Sequence, residues 1–260
     1  MAPVKSALVP SRIPGVDYVL NPYYGCRFGC RFCYAHFTAR FVARRSHEWG
    51  EFAYPKEGLI RALSRQLNSP WRFYGKVVLV GSSTDPYQPP EARHMLTRRS
   101  LNLLLRLKGR SRLHLLTRSS LVLRDSDLLR EGNFHVGVSV SVVRMEYFRD
   151  VEPLSPPPRV RIHVLRGLRD AGVEVSAFVA PVFPDALAEL EETLRLLRRE
   201  GVPVGHVELL NPHKNPLLRE SRHYGRWVAL TRRPEVLKKA LGIVSRYYPK
   251  TQVLTHGWGD

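Results

Sequence analysis

The stretch NPYYGCRFGCRFCYAHF, residues 21–37, contains all three cysteines of the 260-residue chain. Cys26, Cys30 and Cys33 are spaced as CxxxCxxC, and a glycine stands directly before the first two of them. Disulfide frameworks use cysteines in pairs, so an odd number within one short stretch argues against such a framework. In a reducing compartment, clustered cysteines most often bind metal. The stretch is therefore interpreted as a metal-binding loop whose glycines let the backbone wrap tightly.

The composition indicates a soluble and strongly basic protein. Hydrophobic residues make up 43% of the chain, but no run of about 18 or more apolar residues is present. The N-terminal segment MAPVKSALVPSRIPG lacks the apolar run of a signal peptide. We therefore expect a cytoplasmic protein without a membrane partner. The formal net charge of +18 makes nucleic acid a candidate partner, although arginine-rich proteins can be basic without one.

Short β-branched runs alternate with longer amphipathic stretches along the chain. The candidate strands are Val16–Leu20, Lys76–Val80, Arg112–Leu116, Val136–Val142, Val173–Val179 and Val204–Leu209. Connections of this length imply parallel pairing with right-handed crossovers. The sequence predicts an α/β fold, a partial (β/α)6 TIM-like barrel, in a single domain of residues 1–260. Its core would cover about residues 16–210, and residues 211–260 would form a helical extension in which Thr251–His256 resembles one further strand.

The clearest helix lies in ALAELEETLRLLRRE, residues 186–200. Four leucines recur on one face, Glu191 stands four residues before Arg195, and Gly201 is expected to end the helix. Gly172 is expected to end the preceding helix in the same way. The SPPP segment, residues 155–158, is interpreted as a surface loop because of its prolines.

Two kinds of metal site suit the three cysteines. In the first, the thiolates and His36 form a Cys3His zinc site, because zinc accepts four nitrogen or sulfur ligands in a tetrahedron. In the second, the thiolates hold three irons of a cubane cluster and the fourth iron is open to a small molecule. Structural zinc sites typically add a second ligand pair well downstream, and the chain has no further cysteine. The spacing favours the cluster, with zinc as the alternative.

CxxxCxxC with an aromatic residue, Phe32, directly before the last cysteine is similar to the motif of the radical S-adenosylmethionine (radical SAM) superfamily. Within it, the chain resembles the enzymes related to spore photoproduct lyase over roughly residues 18–210. The resemblance rests on NPYYGCxxGCxxCYA, GSSTDPYQPPE (residues 81–91), TRSS (117–120), LVLRDSDLL (121–129) and VSVS (138–141).

This resemblance implies a 4Fe-4S cluster and S-adenosylmethionine as cofactors. In such enzymes the cluster reductively cleaves S-adenosylmethionine and releases a 5′-deoxyadenosyl radical, which abstracts hydrogen from a substrate. The protein supplies placement and exclusion of solvent. The resemblance also implies an external electron donor of the ferredoxin or flavodoxin type.

Carried over residue by residue, the resemblance assigns iron binding to Cys26, Cys30 and Cys33. It also places Phe32, and the backbone after Tyr34, beside the adenine of the cofactor. These assignments concern only positions that match the family motif in this sequence.

The resemblance extends to four polar residues at the ends of later strands. Thr84 and Asp85 match the segment near the methionine amino group, where a hydroxyl or carboxylate can accept from an ammonium. Arg118 stands where the lyases place a basic residue on the cofactor carboxylate, and Ser139, followed two residues later by Ser141, matches the ribose contact. Taken alone, Asp85 before a proline predicts a turn, Arg118 a surface residue and Ser139 a backbone contact.

The sequence departs from the lyase pattern where the lyases return a hydrogen atom to the substrate. They use a cysteine on the second strand and two tyrosines flanking the last cluster cysteine. Here Ser82 replaces the cysteine and Phe32 replaces the first tyrosine, so Tyr34 alone remains. A serine O–H bond is too strong to donate a hydrogen atom readily, and Phe32 has no phenol. The resemblance implies Tyr34 as a catalytic residue but not thymine-dimer repair by that relay.

The substrate is predicted to be anionic, with nucleic acid as one candidate. Arginines with exposed aromatic residues bind phosphates and stack on bases, so such residues are expected to rim the barrel mouth. The expected rim is Asn211, His213, Lys214, Tyr23, Tyr24 and Tyr87, although NPHKNP (residues 211–216) also fits an ordinary solvated loop. One alternative is a nucleotide or phosphorylated metabolite as the substrate. An alternative of another class is a non-catalytic, zinc-stabilised nucleic-acid-binding protein; a second iron-sulfur cluster is excluded because no further cysteine exists.

Overall fold

The computed structural model describes residues 3–259. Its strands are β1 (Val9–Pro10), β2 (Tyr18–Leu20), β3 (Tyr23–Gly25), β4 (Ala53–Pro55), β5 (Val77–Val80), β6 (Arg112–Thr117), β7 (His135–Ser139), β8 (Glu174–Val182), β9 (Val204–Leu209) and β10 (Val253–Leu254). Its α-helices are α1 (Leu59–Gln66), α2 (Glu91–His94), α3 (Leu96–Leu104), α4 (Ser126–Glu131), α5 (Phe148–Val151), α6 (Pro158–Asp170), α7 (Leu187–Arg199), α8 (Tyr224–Thr231) and α9 (Pro234–Tyr247). Short 3-10 helices occupy several connections.

The main sheet has eight strands in the order β1-β2-β5-β6-β7-β8-β9-β10. From β2 to β10 every neighbouring pair is parallel, and β1 is added antiparallel at one edge. The run β2-β5-β6-β7-β8-β9 confirms the predicted partial (β/α)6 barrel. The predicted strand at Thr251–His256 is also confirmed, because Val253–Leu254 pairs with β9. The C-terminal extension therefore contributes both helices and an edge strand of the same sheet.

One predicted strand ends earlier than expected. The sequence predicts a strand over Val136–Val142, whereas β7 ends at Ser139. The chain nevertheless stays paired beyond that point, since the Val140 amide donates to the Phe178 carbonyl (2.8 Å) and the Val142 amide to the Pro181 carbonyl (2.9 Å). The alternation of Val and Ser continues through this irregular stretch, so pattern alone could not locate the end of the strand.

Helix α7 has the predicted apolar face. Its four leucines are buried in the main core, which also contains the valines of the parallel strands (Leu187, Leu190, Leu194 and Leu197). Gly201 follows the helix with φ +64°, a conformation that glycine adopts without strain. Glu191 does not pair with Arg195 as expected: its carboxylate accepts from Arg246 of α9 (2.6 Å). The local i,i+4 pattern missed this because α9 packs against α7 from far along the sequence.

The prediction of a surface loop at residues 155–158 was wrong. Ser155 is 1% exposed, and Pro158 already belongs to α6. Two arginines hold the segment against the core: Arg149 donates to the Ser155 carbonyl (2.9 Å) and Arg161 to the Pro156 carbonyl (2.7 Å). Ser155 is thus buried and the three prolines are half-buried, so the segment packs against the core instead of forming a solvated loop.

Residues 21–55, here called the cysteine segment, form a unit that the sequence did not predict. Strands β3 and β4 pair as a separate antiparallel ribbon, and the 3-10 helix Tyr34–Val42 lies between them. The segment has its own small core with Leu217 (Cys26, Phe28, Cys30, Ala35, Ala39, Trp49 and Phe52). Gly25 closes the ribbon at φ +79°, where a Cβ would collide with Phe52. No helix among residues 3–259 is both long enough and apolar enough to cross a membrane.

Candidate functional site

A cavity of about 380 Å³ opens at the carboxyl ends of the parallel strands. The edge at which parallel strands end is where barrels of this kind collect function. The nine residues predicted to bind the cluster or the cofactor all line this cavity: Cys26, Cys30, Cys33, Phe32, Tyr34, Thr84, Asp85, Arg118 and Ser139. The structure thus brings the predicted residues together, while the individual role of each stays a prediction.

The three cysteines are free thiols, with Cys26 and Cys30 buried and Cys33 half-buried. Burial raises the pKa of Cys33 to about 12 and also raises the pKa of the other two thiols. Such thiols lose their protons when they ligate a metal. Among residues 3–259, no three His, Cys, Asp or Glu side chains converge on a position for one metal ion. A cubane cluster places each thiolate on a different iron, so this donor set fits a cluster.

Thr84 and Gln88 clamp the cysteine segment to the end of β5. The Thr84 hydroxyl donates to the Gly25 carbonyl (2.6 Å), and the Gln88 amide donates to the same carbonyl (3.2 Å) and to the Thr84 oxygen (2.7 Å). The Gln88 carbonyl oxygen accepts from the Arg27 amide (2.8 Å). Sequence analysis missed Gln88, although it lies in the quoted GSSTDPYQPPE. The geometry makes Thr84 a positioning residue for the cysteine loop.

Asp85 connects the turn after β5 to the end of β6. Its Oδ1 accepts from the Thr117 hydroxyl (2.7 Å) and the Tyr87 amide (2.9 Å), and its Oδ2 accepts from the Arg118 amide (2.9 Å). Burial raises the pKa of Asp85 above its ordinary value, against the effect of these hydrogen bonds. Asp85 therefore closes the Asp-Pro turn and also lines the cavity, while its contact with the cofactor amino group stays a prediction.

Arg118 lies between the cluster motif and a buried acid. Its guanidinium stands over the Phe32 ring, 5.6 Å from the centroid, and its Nη1 donates to Glu152 (3.0 Å). Glu152 is fully buried and also binds Arg161, which is fully buried too. Burial alone would raise the pKa of Glu152, but the Arg161 and Arg118 guanidiniums lower it below its ordinary value. The surface alternative for Arg118 was wrong.

Arg161 connects this ion pair to strand β7. Its Nη1 donates to the Ser139 carbonyl (3.2 Å) and to the Ser141 hydroxyl (3.1 Å). The Ser139 hydroxyl lines the cavity and lies 3.4 Å from the Ala180 carbonyl. The two serines thus differ in direction: Ser139 faces the cavity and Ser141 faces the buried arginine. Glu152 and Arg161 were missed because a buried charge pair leaves no local sequence pattern.

Tyr34 stands at the open side of the cavity with 60% of its surface exposed. Its hydroxyl donates to the Ser82 carbonyl. The Ser82 hydroxyl in turn accepts from the Asn21 amide (2.9 Å), whose oxygen accepts from the Ser83 amide (2.8 Å). Tyr34 therefore bridges the cysteine segment and the end of β5 at the cavity wall.

The cavity lining also contains a pair that sequence analysis missed. Glu208 of β9 and His256, which follows β10, both line the cavity, and His256 Nε2 lies 2.7 Å from Glu208 Oε1. His256 adopts φ +51°, a left-handed conformation that is uncommon outside glycine and is often found at functional sites. A charged residue near the end of a barrel strand was the available signal for Glu208.

The predicted rim is only partly correct. Asn211 lines the cavity, and so does Asn215, whose amide donates to the Cys33 carbonyl (2.9 Å). Tyr23 and Tyr87 are instead buried, donating to Glu91 (2.5 Å) and Asp125 (3.0 Å). Tyr24 lies under the Lys56 ammonium. His213 is exposed and does not line the cavity. The Lys214 side chain lies outside the described part of the structure. Sequence could not tell which tyrosines point inward.

Comparison with known proteins covers most of the chain. The model of the Radical SAM superfamily matches residues 20–197. An uncharacterised protein of Methanocaldococcus jannaschii is 34% identical over 184 residues, which is 70% of this chain and 67% of that protein. An uncharacterised protein of Acidianus two-tailed virus is 31% identical over 202 residues (72% and 64%), and one of Mycobacterium tuberculosis 32% over 194 residues (69% and 54%). The chain thus spans between about half and two thirds of these relatives.

Solved structures show the same fold. Spore photoproduct lyase complexed with dinucleoside spore photoproduct superposes with a TM-score of 0.66 at 14% identity, covering 95% of this chain and 78% of that one. The structure described as native anSMEcpe with bound AdoMet superposes with a TM-score of 0.56 at 13% identity, covering 90% and 63%. At these identities the similarity concerns the fold.

Proposed function

We propose that this chain, which belongs to the radical SAM superfamily and whose family uses a 4Fe-4S cluster and S-adenosylmethionine, abstracts hydrogen from a nucleic-acid substrate. The observation that carries the proposal is the single cavity that the three cysteines share with Arg118, Asp85, Ser139 and Tyr34. Cofactor and substrate would meet there, because the cysteine segment closes one side and the strand ends form the other.

The proposal gives each wall residue a task. Cys26, Cys30 and Cys33 would hold the cluster, and Arg118 would bind the cofactor carboxylate while Glu152 keeps the guanidinium in place (3.0 Å). When bound, the cluster and S-adenosylmethionine supply a hydrogen-abstracting 5′-deoxyadenosyl radical. Phe32 packs against Arg118 and would exclude water from the adenine side.

Thr84 would contribute by positioning rather than by direct contact. Its hydroxyl is committed to Gly25 and Gln88, so the cofactor amino group would be met by Asp85 and by backbone carbonyls. Ser139 would take the ribose, as its cavity position supports.

Repair of a thymine dimer through a cysteine relay is not part of the proposal. Ser82 has no thiol, and its hydroxyl is held by Asn21 (2.9 Å). Tyr34 has a phenol, which can donate a hydrogen atom, but no cysteine exists outside the three at the cluster site. The reaction would therefore end differently from that relay, with Tyr34 as the catalytic residue at the substrate side.

The net charge supports an anionic substrate, and the size of the cavity limits how much of a polymer could enter it. The net charge of +18 attracts phosphates, and the cavity of about 380 Å³ lies in the size range of small-ligand pockets. A nucleic acid would therefore enter with one nucleotide turned out of its stack, as enzymes that modify bases require. Glu208 and His256, which line the same cavity, supply hydrogen-bonding groups that could read a base edge.

The reduction step needs a protein partner. An external donor of the ferredoxin or flavodoxin type would deliver the electron, and a cluster that needs such a donor fits the cytoplasm. The proposal therefore includes a nucleic-acid substrate, an electron donor of the ferredoxin or flavodoxin type, and a cytoplasmic location.

The test measures 5′-deoxyadenosine formation by anaerobically reconstituted protein with a chemical reductant. Single-stranded and duplex DNA and RNA are added separately, with mixed nucleotides and phosphorylated sugars in parallel. We expect a polynucleotide to raise formation above the slow uncoupled level. Stimulation by mononucleotides or sugar phosphates alone would replace the nucleic acid by a phosphorylated metabolite.

A further inference from the structure

A row of aromatic side chains leaves the cavity along the 3-10 helix Tyr34–Val42. We call Tyr34, Phe37 and Phe41 the aromatic ladder. Their exposed fractions are 60%, 40% and 59%. The Tyr34 and Phe37 rings are stacked with centroids 6.5 Å apart, and Phe37 and Phe41 meet edge to face at 6.3 Å. The ladder therefore forms one continuous patch that begins at a residue of the cavity wall.

This helix buries its small side chains and exposes its large aromatic ones, whereas most helices bury their large apolar side chains. Its small residues Ala35, Thr38 and Ala39 are buried, whereas its three large aromatics face outward. Contiguous exposed apolar patches usually mark an interaction site, because water does not favour them. Ala35 and Ala39 pack in the core of the cysteine segment, so the helix is held by its small residues and by the Tyr34 hydroxyl, whereas the Phe37 and Phe41 rings lie outside that core.

The patch is positively charged. Arg40 lies over both phenylalanines, with Cζ 5.5 Å from the Phe37 centroid and 5.0 Å from that of Phe41. Residues 34–50 contain Arg40, Arg44 and Arg45 but only one carboxylate, Glu48. Glu48 is bound by Arg44 (2.8 Å) and by the Arg45 amide (2.6 Å). Arginine interleaved with exposed rings is the combination that binds a phosphate backbone and stacks its bases.

We infer that the aromatic ladder binds single-stranded nucleic acid and leads it to the cavity, an inference that rests on the proposed function. A single strand is favoured over a duplex because ring faces stack on bases that are exposed, and duplex bases are already stacked on each other. Tyr34 belongs to both the ladder and the cavity, so a strand held on Phe37 and Phe41 would present its next nucleotide to the site. Stacking is sequence-tolerant, so DNA and RNA are both tested.

The experiment measures fluorescence anisotropy of labelled single strands of about 12 nucleotides, DNA and RNA, with the full chain. Phe37→Ala and Phe41→Ala should each weaken binding by about 5- to 150-fold, the range that corresponds to loss of one stacked base. Phe41→Tyr should retain binding, because the ring face remains. Arg40→Ala should lower the salt slope by about 0.7, as for one phosphate contact on a single strand.

Trp71→Ala is the matched control. Trp71 is an aromatic with 62% exposure, but it precedes β5, at the end of the sheet away from the cavity. This variant should bind single strands as the native protein does. Thermal melting and iron content of every variant verify that the chain remains folded.

Three outcomes would overturn the inference. Native protein that binds single strands while Phe37→Ala and Phe41→Ala bind equally well contradicts the ladder alone and leaves the proposed function standing. Native protein that binds no polynucleotide contradicts the nucleic-acid substrate as well. If Phe41→Ala slows S-adenosylmethionine cleavage with a flavodoxin-type donor but not with a chemical reductant, the ladder is the docking surface of the donor instead.

Discussion

The two walls of the cavity are built differently. On the wall formed after β5, β6 and β7, Asp85, Glu152 and Arg161 are buried, and hydrogen bonds and ion pairs connect them. On the wall formed by β9 and β10, the Glu208 and His256 side chains are 35% and 24% exposed and make one hydrogen bond with each other. Buried charges need fixed partners, whereas partly exposed ones keep contact with water. The first wall suits a ligand that is always the same, and the second suits a substrate that enters and leaves.

The largest effect of any substitution in the cavity is expected at the three cysteines, because they would hold the cluster. Native protein reconstituted without oxygen should bind about four irons and four sulfides, and Cys26→Ala, Cys30→Ala or Cys33→Ala should each abolish the cluster. Iron analysis and visible absorbance measure this. Ser155→Ala is the control, because Ser155 Oγ lies 3.5 Å from Cys30 Sγ without being a predicted ligand and its loss should leave iron binding intact. Stoichiometric zinc and no iron in native protein would contradict the cluster.

The buried ion pair of Glu152 should contribute more to the free energy of unfolding than an ion pair at the surface. Glu152→Gln should lower the free energy of unfolding by about 3–5 kcal/mol, since it leaves buried guanidiniums without a charged partner. Glu192→Gln removes the carboxylate from an exposed pair with Arg159 (3.1 Å) and should change it by no more than about 1 kcal/mol. Denaturant titration measures both. Equal effects of the two substitutions would mean that the buried pair adds nothing beyond a surface pair.

The same substitution predicts a pH dependence. Because the pKa of Glu152 is lowered in the folded protein, its ionised form contributes stability above the unfolded pKa of about 4.3, and that contribution is lost as the pH falls through the folded pKa. The difference in unfolding free energy between native protein and Glu152→Gln should therefore be largest near neutral pH and shrink in acid. A difference that grows in acid would contradict the assigned direction.

An effect of intermediate size is expected on the affinity for S-adenosylmethionine, which should depend on the wall formed after β5, β6 and β7. Arg118→Ala should weaken binding of S-adenosylmethionine to the reconstituted protein by about 1.5–3 kcal/mol through loss of charged hydrogen bonds. Calorimetry measures the affinity. Arg98→Ala removes a guanidinium that pairs with Asp125 (2.8 Å) and Asp127 (2.9 Å) away from the cavity lining, and it should not change the affinity. An Arg118→Ala variant with native affinity would show that the carboxylate binds elsewhere.

Sequence predicted the fold and the first wall better than the second. The strands carry β-branched runs, and the cysteines with Asp85 and Arg118 lie in recognisable motifs. Glu208 and His256 stand 48 residues apart and meet only because β10 is added beside β9. Such a contact depends on strand pairing at long range, which no local periodicity encodes.

Two errors have the same physical origin. Tyr23 and Tyr87 were expected at the rim, and SPPP was expected at the surface, because residue type alone suggested contact with solvent or substrate. The phenols instead donate to buried carboxylates, and the Pro156 carbonyl accepts from the buried Arg161. Which polar groups acquire a buried partner is decided by packing between distant elements, so the sequence could indicate the residues but not their direction.

The smallest effect is expected at the accessible wall, and it tests whether that wall serves the substrate alone. Glu208→Gln should leave S-adenosylmethionine affinity unchanged and slow polynucleotide-stimulated formation of 5′-deoxyadenosine by about 2- to 12-fold, equivalent to one hydrogen bond of about 0.5–1.5 kcal/mol. Glu174→Gln is the control, since it alters another Glu–His pair, with His135 (3.1 Å), at the opposite end of the strands. It should change neither quantity. If Glu208→Gln instead weakened cofactor binding as much as Arg118→Ala, both walls would hold the cofactor, and the substrate would have to be bound outside the cavity.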